Sequence, residues 1–183
     1  DVAVIEVDHK LQVFEPDEHG KWKPGQTLQP LYRGQPLRPY QLDSANSVAL
    51  SGDTAMLGGT VDEDMERGSA PAIHVFTRNG EGLWTHSQRL RIETENRQEG
   101  LDSEDFNAFH LEGDTVVALV DGYEKAVFFS RGSDGAWSHQ RDVPLPAPNT
   151  DRIFHKGNRS TLGQRALFVG TLGARRPVGP REE

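Results

Sequence analysis

The sequence predicts an all-β protein assembled from repeated units of four short antiparallel strands, and three observations carry that reading. First, its three tryptophans stand in one frame. Phe14, Phe76 and Phe129 each lie eight residues before Trp22, Trp84 and Trp137, and Gly20, Gly82 and Gly135 lie two residues before them. Second, Leu50-Ser51-Gly52-Asp53-Thr54 recurs as Leu111-Glu112-Gly113-Asp114-Thr115, each followed by an apolar run. Third, only 34% of residues are hydrophobic while Gly and Pro number 19 and 11. That balance suits a turn-rich sheet protein with modest cores better than a helical bundle.

Each element of the repeat follows from its residues. The strings 11–28, 73–90 and 126–145 each read as an apolar run ending in Phe, a polar turn, then Trp and polar residues. This is the pattern of a β-hairpin with a longer loop. The Gly-Asp pairs are tight-turn signals that place one further strand on either side. Strands a to d of a unit are accordingly like Ser47–Leu50, Thr54–Gly58, Ile73–Thr77 and Trp84–Leu90. Asp1-Val2-Ala3-Val4-Ile5 fits the strand after a Gly-Asp turn, and Gly163-Gln164-Arg165 before Ala166–Val169 is a weaker echo of that turn. Four short strands in roughly 40 to 50 residues are the arithmetic of a β-propeller blade.

The expected organisation is a repeat region over 1–172, with units at approximately 1–45, 46–105 and 106–150 and a partial unit at 151–172. A flexible tail, 173–183, follows. That is about three blades, short of the four to eight that close a ring. An open arc exposes apolar faces and strand edges, so another protein chain or a second copy is expected to complete the propeller.

The segments SVALSGDTAMLGG and AIHVFTRNGEGLWTHSQRL resemble the bacterial FG-GAP repeat, related to blades of the integrin α-subunit propeller. The resemblance runs best over 46–90, fairly over 106–145, and in its second half over 1–28. The Phe-Gly of the family stands here as Phe106-Asn107 in one unit and is absent from the other, where Leu42–Asn46 occupies the region. The GAP positions are Gly58-Gly59-Thr60 and Val120-Asp121-Gly122. The resemblance implies adhesion or ligand recognition outside the cytoplasm, extracellular or periplasmic.

Charge and motifs narrow the function. A net charge of −8 argues against nucleic acid as a partner, and no apolar run approaches the roughly 20 residues of a membrane span. No cysteine is present, so disulfide and thiolate chemistry are excluded. No GxSxG, P-loop or dinucleotide fingerprint appears.

In 61–70, Asp62, Asp64 and Glu66 alternate before Gly68, a loose likeness to a Ca²⁺ loop. These are the candidate metal ligands, weighed against a solvated acidic loop with no cofactor. His86 and His139 each follow a Trp by two residues and read as a recurring surface position; no HxH or HExxH spacing occurs. The tryptophans are expected to pack across the strand on the Phe of their own hairpin, and Asp53 and Asp114 to form Asx turns. Asn158-Arg159-Ser160 is a formal glycosylation sequon. The leading expectation is a noncatalytic exported binding or scaffolding module that contacts another protein or a glycan. The rivals are a subunit of a propeller enzyme acting on polysaccharide and a structural subunit of a larger assembly.

Overall fold

In the computed structural model, residues 1–37, 42–62, 69–93, 106–120, 125–145, 159–163 and 166–170 are described. All regular structure among them is antiparallel β. Unit 1 is a three-stranded sheet of β1 (Ala3–Val7), β2 (Lys10–Pro16) and β3 (Trp22–Leu28). A small hairpin follows, β4 (Leu31–Tyr32) with β5 (Gln35–Pro36). Unit 2 is a four-stranded meander of β6 (Leu42–Ser51), β7 (Thr54–Asp62), β8 (Ser69–Arg78) and β9 (Trp84–Arg91). Unit 3 has the same order in β10 (Phe106–Glu112), β11 (Thr115–Val120), β12 (Lys125–Arg131) and β13 (Trp137–Pro144). A final pair is β14 (Arg159–Gly163) with β15 (Ala166–Gly170).

Strand β6 opens at Leu42, inside the segment expected to belong to the first unit, and the 31–36 hairpin carried no signal in the sequence reading. Asp64, Glu66, Gln164, Arg165, Asn158 and the tail 173–183 lie outside the described residues.

The turns recur as the repeat demands. Ser51 pairs with Thr54 and Glu112 with Thr115, leaving Gly52-Asp53 and Gly113-Asp114 as two-residue loops. The glycines take φ of 54° in both, the first position of a hairpin turn that only glycine adopts without strain. In the hairpins that end in Trp, Gly20, Gly82 and Gly135 take φ of 76°, 85° and 82°. Their N–H groups donate to Asp17, Asn79 and Gly132 carbonyls at 2.9 Å. The Asx bonds lie in these loops. Asp17 Oδ1 accepts from His19 and Lys21, Asn79 Oδ1 from Glu81 and Leu83, and Asp134 Oδ1 from Ala136. What recurs at Asp53 and Asp114 is instead the main-chain carbonyl, accepting from Arg78 and Arg131 at 2.9 Å. This corrects the Asx expectation: loop length, not the Gly-Asp string, decides where a carboxylate can curl back.

The hairpin register also corrects the expected Phe–Trp pair. Phe76 sits opposite His86 and Phe129 opposite His139, while Trp84 and Trp137 face Arg78 and Arg131. A register shift just before the Phe occurs in both, and unit 1 has one between Gln12 and Phe14. The register from the Phe to the Trp is unbroken and set by the loops 79–83 and 132–136, so each histidine ring meets the Phe edge-on, at 5.3 Å for Phe76–His86 and 5.8 Å for Phe129–His139.

Strand alternation then builds two cores between sheets. Leu11, Val13 and Leu28 of unit 1 pack with Ala55, Leu57, Ala72, Phe76 and Trp84 of unit 2. Met56, Ile73, Val75 and Leu90 on the other face of unit 2 pack with Val116, Ala118, Val127, Phe129 and Trp137 of unit 3. The Phe and Trp of units 2 and 3 thus point at the preceding sheet.

Candidate functional site

Two features stand out: the joint that repeats between sheets, and a cleft between units 1 and 2. At the joint, Gln26 of β3 clasps the main chain of Trp84. Its Nε2 donates to the Trp84 carbonyl at 2.6 Å and its Oε1 accepts from the Trp84 N–H at 2.9 Å. Gln88 of β9 does the same to Trp137, at 2.7 and 2.9 Å. Both glutamines stand four residues after their own Trp; the third such position holds Arg141, whose guanidinium lies over Phe128 at 4.8 Å.

An arginine two residues after the Phe reaches backward. Arg78 Nη2 donates to Glu15 Oε1 at 2.7 Å and Arg131 Nη1 to Thr54 Oγ1 at 3.4 Å. Each Nε also donates to the carbonyl of its turn glycine, Gly82 or Gly135. Unit 1 carries Pro16 at this position. Ser51 Oγ accepts from Gly113 N–H at 3.2 Å, a further tie between units 2 and 3.

Unit 1 therefore clasps forward without the backward arginine, and unit 3 has the backward arginine without a forward glutamine. The consequence for tryptophan is large. Trp84 and Trp137 are 2% and 4% exposed, whereas Trp22 is 48% exposed, and Ile5 and Val7 elsewhere in unit 1 are 52% and 49% exposed.

The cleft, about 410 Å³, lies between the β4–β5 hairpin and β9, lined by Leu31, Tyr32, Arg33, Gly34, His86, Ser87, Gln88, Arg89 and Arg91. Arg33 and Gly34 can form the hairpin turn because both take positive φ, 50° and 77°. Two guanidiniums lie over the Tyr32 ring, Arg33 at 5.0 Å and Arg89 at 4.9 Å from its centroid. His86 leads inward to His74, which is fully buried, with Nδ1 of His74 3.1 Å from Nε2 of His86. The Nε2 of His74 is buried without a hydrogen-bond partner.

Burial, the neighbouring His86 and the positive Arg89 push His74 down to about 3. Burial and then Arg89 lower His86 as well. Both rings are neutral near pH 7. His139 differs: it is exposed and bonds Asp142 at 2.6 Å. The two histidines read as one recurring surface position therefore occupy different environments, because β4–β5 and His74 crowd only the first.

No group of three or more His, Cys, Asp or Glu positioned for a metal occurs among the described residues. Of the proposed Ca²⁺ ligands, Asp62 ends β7, while Asp64 and Glu66 lie outside the described residues. Sequence reading missed the glutamine clasp, the His74–His86 pair and the Tyr32 hairpin. Only the first left a signal, a Gln at Trp plus four in two of three units.

No protein-family model matches the chain, and no curated protein is significantly similar to it. Among solved structures it is similar to a Bacteroides uniformis ATCC 8492 protein whose name proposes it to be a 6-phosphogluconolactonase. The identity is 16% and the TM-score 0.51, over 79% of this chain and 37% of that one. The chain thus spans little more than a third of that protein's length, and the likeness concerns the fold alone.

Proposed function

We propose that this chain is a noncatalytic, exported binding and scaffolding module built of FG-GAP-like propeller blades, whose outward sheet face joins another protein chain or a second copy. The observation that carries the reading is the repeated joint. Sheet follows sheet through the same glutamine clasp and the same Phe/Trp face, and at unit 1 that face is uncovered. Exposed apolar surface of this kind marks an interaction site.

The test is the native mass of the chain across concentration by sedimentation equilibrium, beside Trp22→Ser. The expected result is an assembly larger than one chain that Trp22→Ser loosens. A compact monomer at every concentration, unchanged by the substitution, overturns the reading.

A further inference from the structure

We propose that Asn79 is a self-modification site, where the main-chain nitrogen of Gly80 attacks the asparagine amide and converts it to aspartate and isoaspartate. The site sits at the joint between units 1 and 2, and the inference does not depend on the binding-module reading. Asn79 is the one asparagine of the chain that precedes a glycine. Glycine has no Cβ to shield its nitrogen or to restrict the backbone. Both residues are exposed, and no atom lies within 4 Å of where a Cβ on Gly80 would stand.

The loop also arranges the reacting groups. Asn79 Oδ1 accepts from the N–H groups of Glu81 and Leu83 at 3.0 and 2.9 Å. Two fixed donors on a carbonyl oxygen stabilise the negative charge that develops there when its carbon is attacked. The nucleophile and the leaving group are untied, since neither the Gly80 N–H nor Asn79 Nδ2 is hydrogen-bonded among the described residues. Gly80 N gives its proton to hydroxide and bonds to Asn79 Cγ. The Cγ–Nδ2 bond breaks, ammonia leaves with a proton from water, and a cyclic imide remains. Water then opens the ring at either carbonyl, giving aspartate or an isoaspartyl link.

The other units show what each product does. Unit 1 carries Asp17 at this position, and its Oδ1 accepts the same two bonds, from His19 and Lys21, at 2.9 Å. Aspartate therefore fits the loop. Isoaspartate does not, because it routes the main chain through Cγ and lengthens it by one carbon. That lengthening falls between two anchors of the joint: Arg78, whose Nη2 donates to Glu15, and Trp84, clasped by Gln26. Unit 1 has Glu18 after its Asp17, and unit 3 has Gly132 in place of the asparagine. The amide and the bare nitrogen meet only in unit 2.

Proteolytic mapping by mass spectrometry, after incubation of the full chain at pH 8, tests this. Asn79 should convert at least roughly tenfold faster than any other asparagine, and more slowly at pH 6, where hydroxide is scarcer. Gly80→Ala adds a methyl that meets nothing, at a position without positive φ, so the fold survives it. It should slow the conversion by roughly tenfold. The folded chain should convert at least as fast as the chain in urea, which lacks the two donors on Oδ1. Asn79→Asp should melt with the wild type, whereas the isoaspartyl fraction should melt lower. An amide that survives in the folded chain while converting in urea overturns the proposal. So does a rate no greater than that of the other asparagines, or indifference to Gly80→Ala.

Discussion

Trp84 and Trp22 occupy the same place in the same repeat and live in opposite surroundings. Trp84 begins its strand with its main chain clasped by Gln26 and its ring buried with Phe76 against unit 1. Trp22 begins an equivalent strand with its ring half in water. Their local sequences do not differ enough to cause this. What differs is whether another sheet stands in front, so burial in a repeat array belongs to the pair of units, not to the residue.

The largest effect expected from that contrast is in stability. Trp84→Ala or Trp137→Ala should cost roughly 3–5 kcal/mol through cavity and lost burial. Trp22→Ala should cost well under half as much in the isolated chain. Urea denaturation of the three variants decides it, and equal losses would mean that Trp22 is covered after all.

Next come the clasps. Gln88→Ala leaves the Trp137 N–H and carbonyl without their partner and should cost roughly 1–3 kcal/mol. Arg141→Ala, at the equivalent position, should fall within about 0.5 kcal/mol, as surface changes do. Gln88→Glu sharpens the point, because a carboxylate still accepts from the N–H but cannot donate to the carbonyl. It should lie close to the alanine variant in thermal melts.

The His74–His86 pair separates unit 2 from unit 3 by pH. His74 is held down to about 3 in the folded chain, against an ordinary unfolded value near 6.5. Below about pH 6.5 the unfolded chain takes up a proton that the folded chain refuses, so stability falls with pH. The slope approaches about 1.4 kcal/mol per pH unit until pH nears 3, and above 6.5 the contribution is flat. His74→Asn should remove most of that acid-side slope; His139→Asn should not. Denaturant midpoints at pH 7, 6 and 5 would show it, and parallel curves for wild type and His74→Asn would refute it.

The smallest effect expected is at the Arg78–Glu15 pair. Both side chains are partly exposed, 29% and 42%, so Glu15→Gln should change stability by about 0.2–1 kcal/mol. Raising the salt concentration should shrink the difference further.

The Phe-Gly-Trp frame made the hairpins legible because turn chemistry is local: a positive φ wants glycine wherever the chain goes next. The strand pairs flanking Gly52 and Gly113 were legible for the same reason. The register that sets Phe76 opposite His86 and Trp84 opposite Arg78 was not, since it depends on where the loop closes and not on residue type. Nor was the cleft. Tyr32 and Arg89 are distant in the chain, and only the stacking of β4–β5 beside β9 makes them neighbours.

By itself, then, the sequence determined the strand order within each unit, the places where the chain reverses and the recurrence of the aromatic hairpin. These depend on φ preferences and on the two-residue alternation of strands, which act over a few residues. The tertiary structure decided which tryptophans are buried, which glutamines clasp and which histidine is forced to stay neutral. Those properties arise from desolvation by a neighbouring sheet, and a neighbour is set by packing across the whole chain.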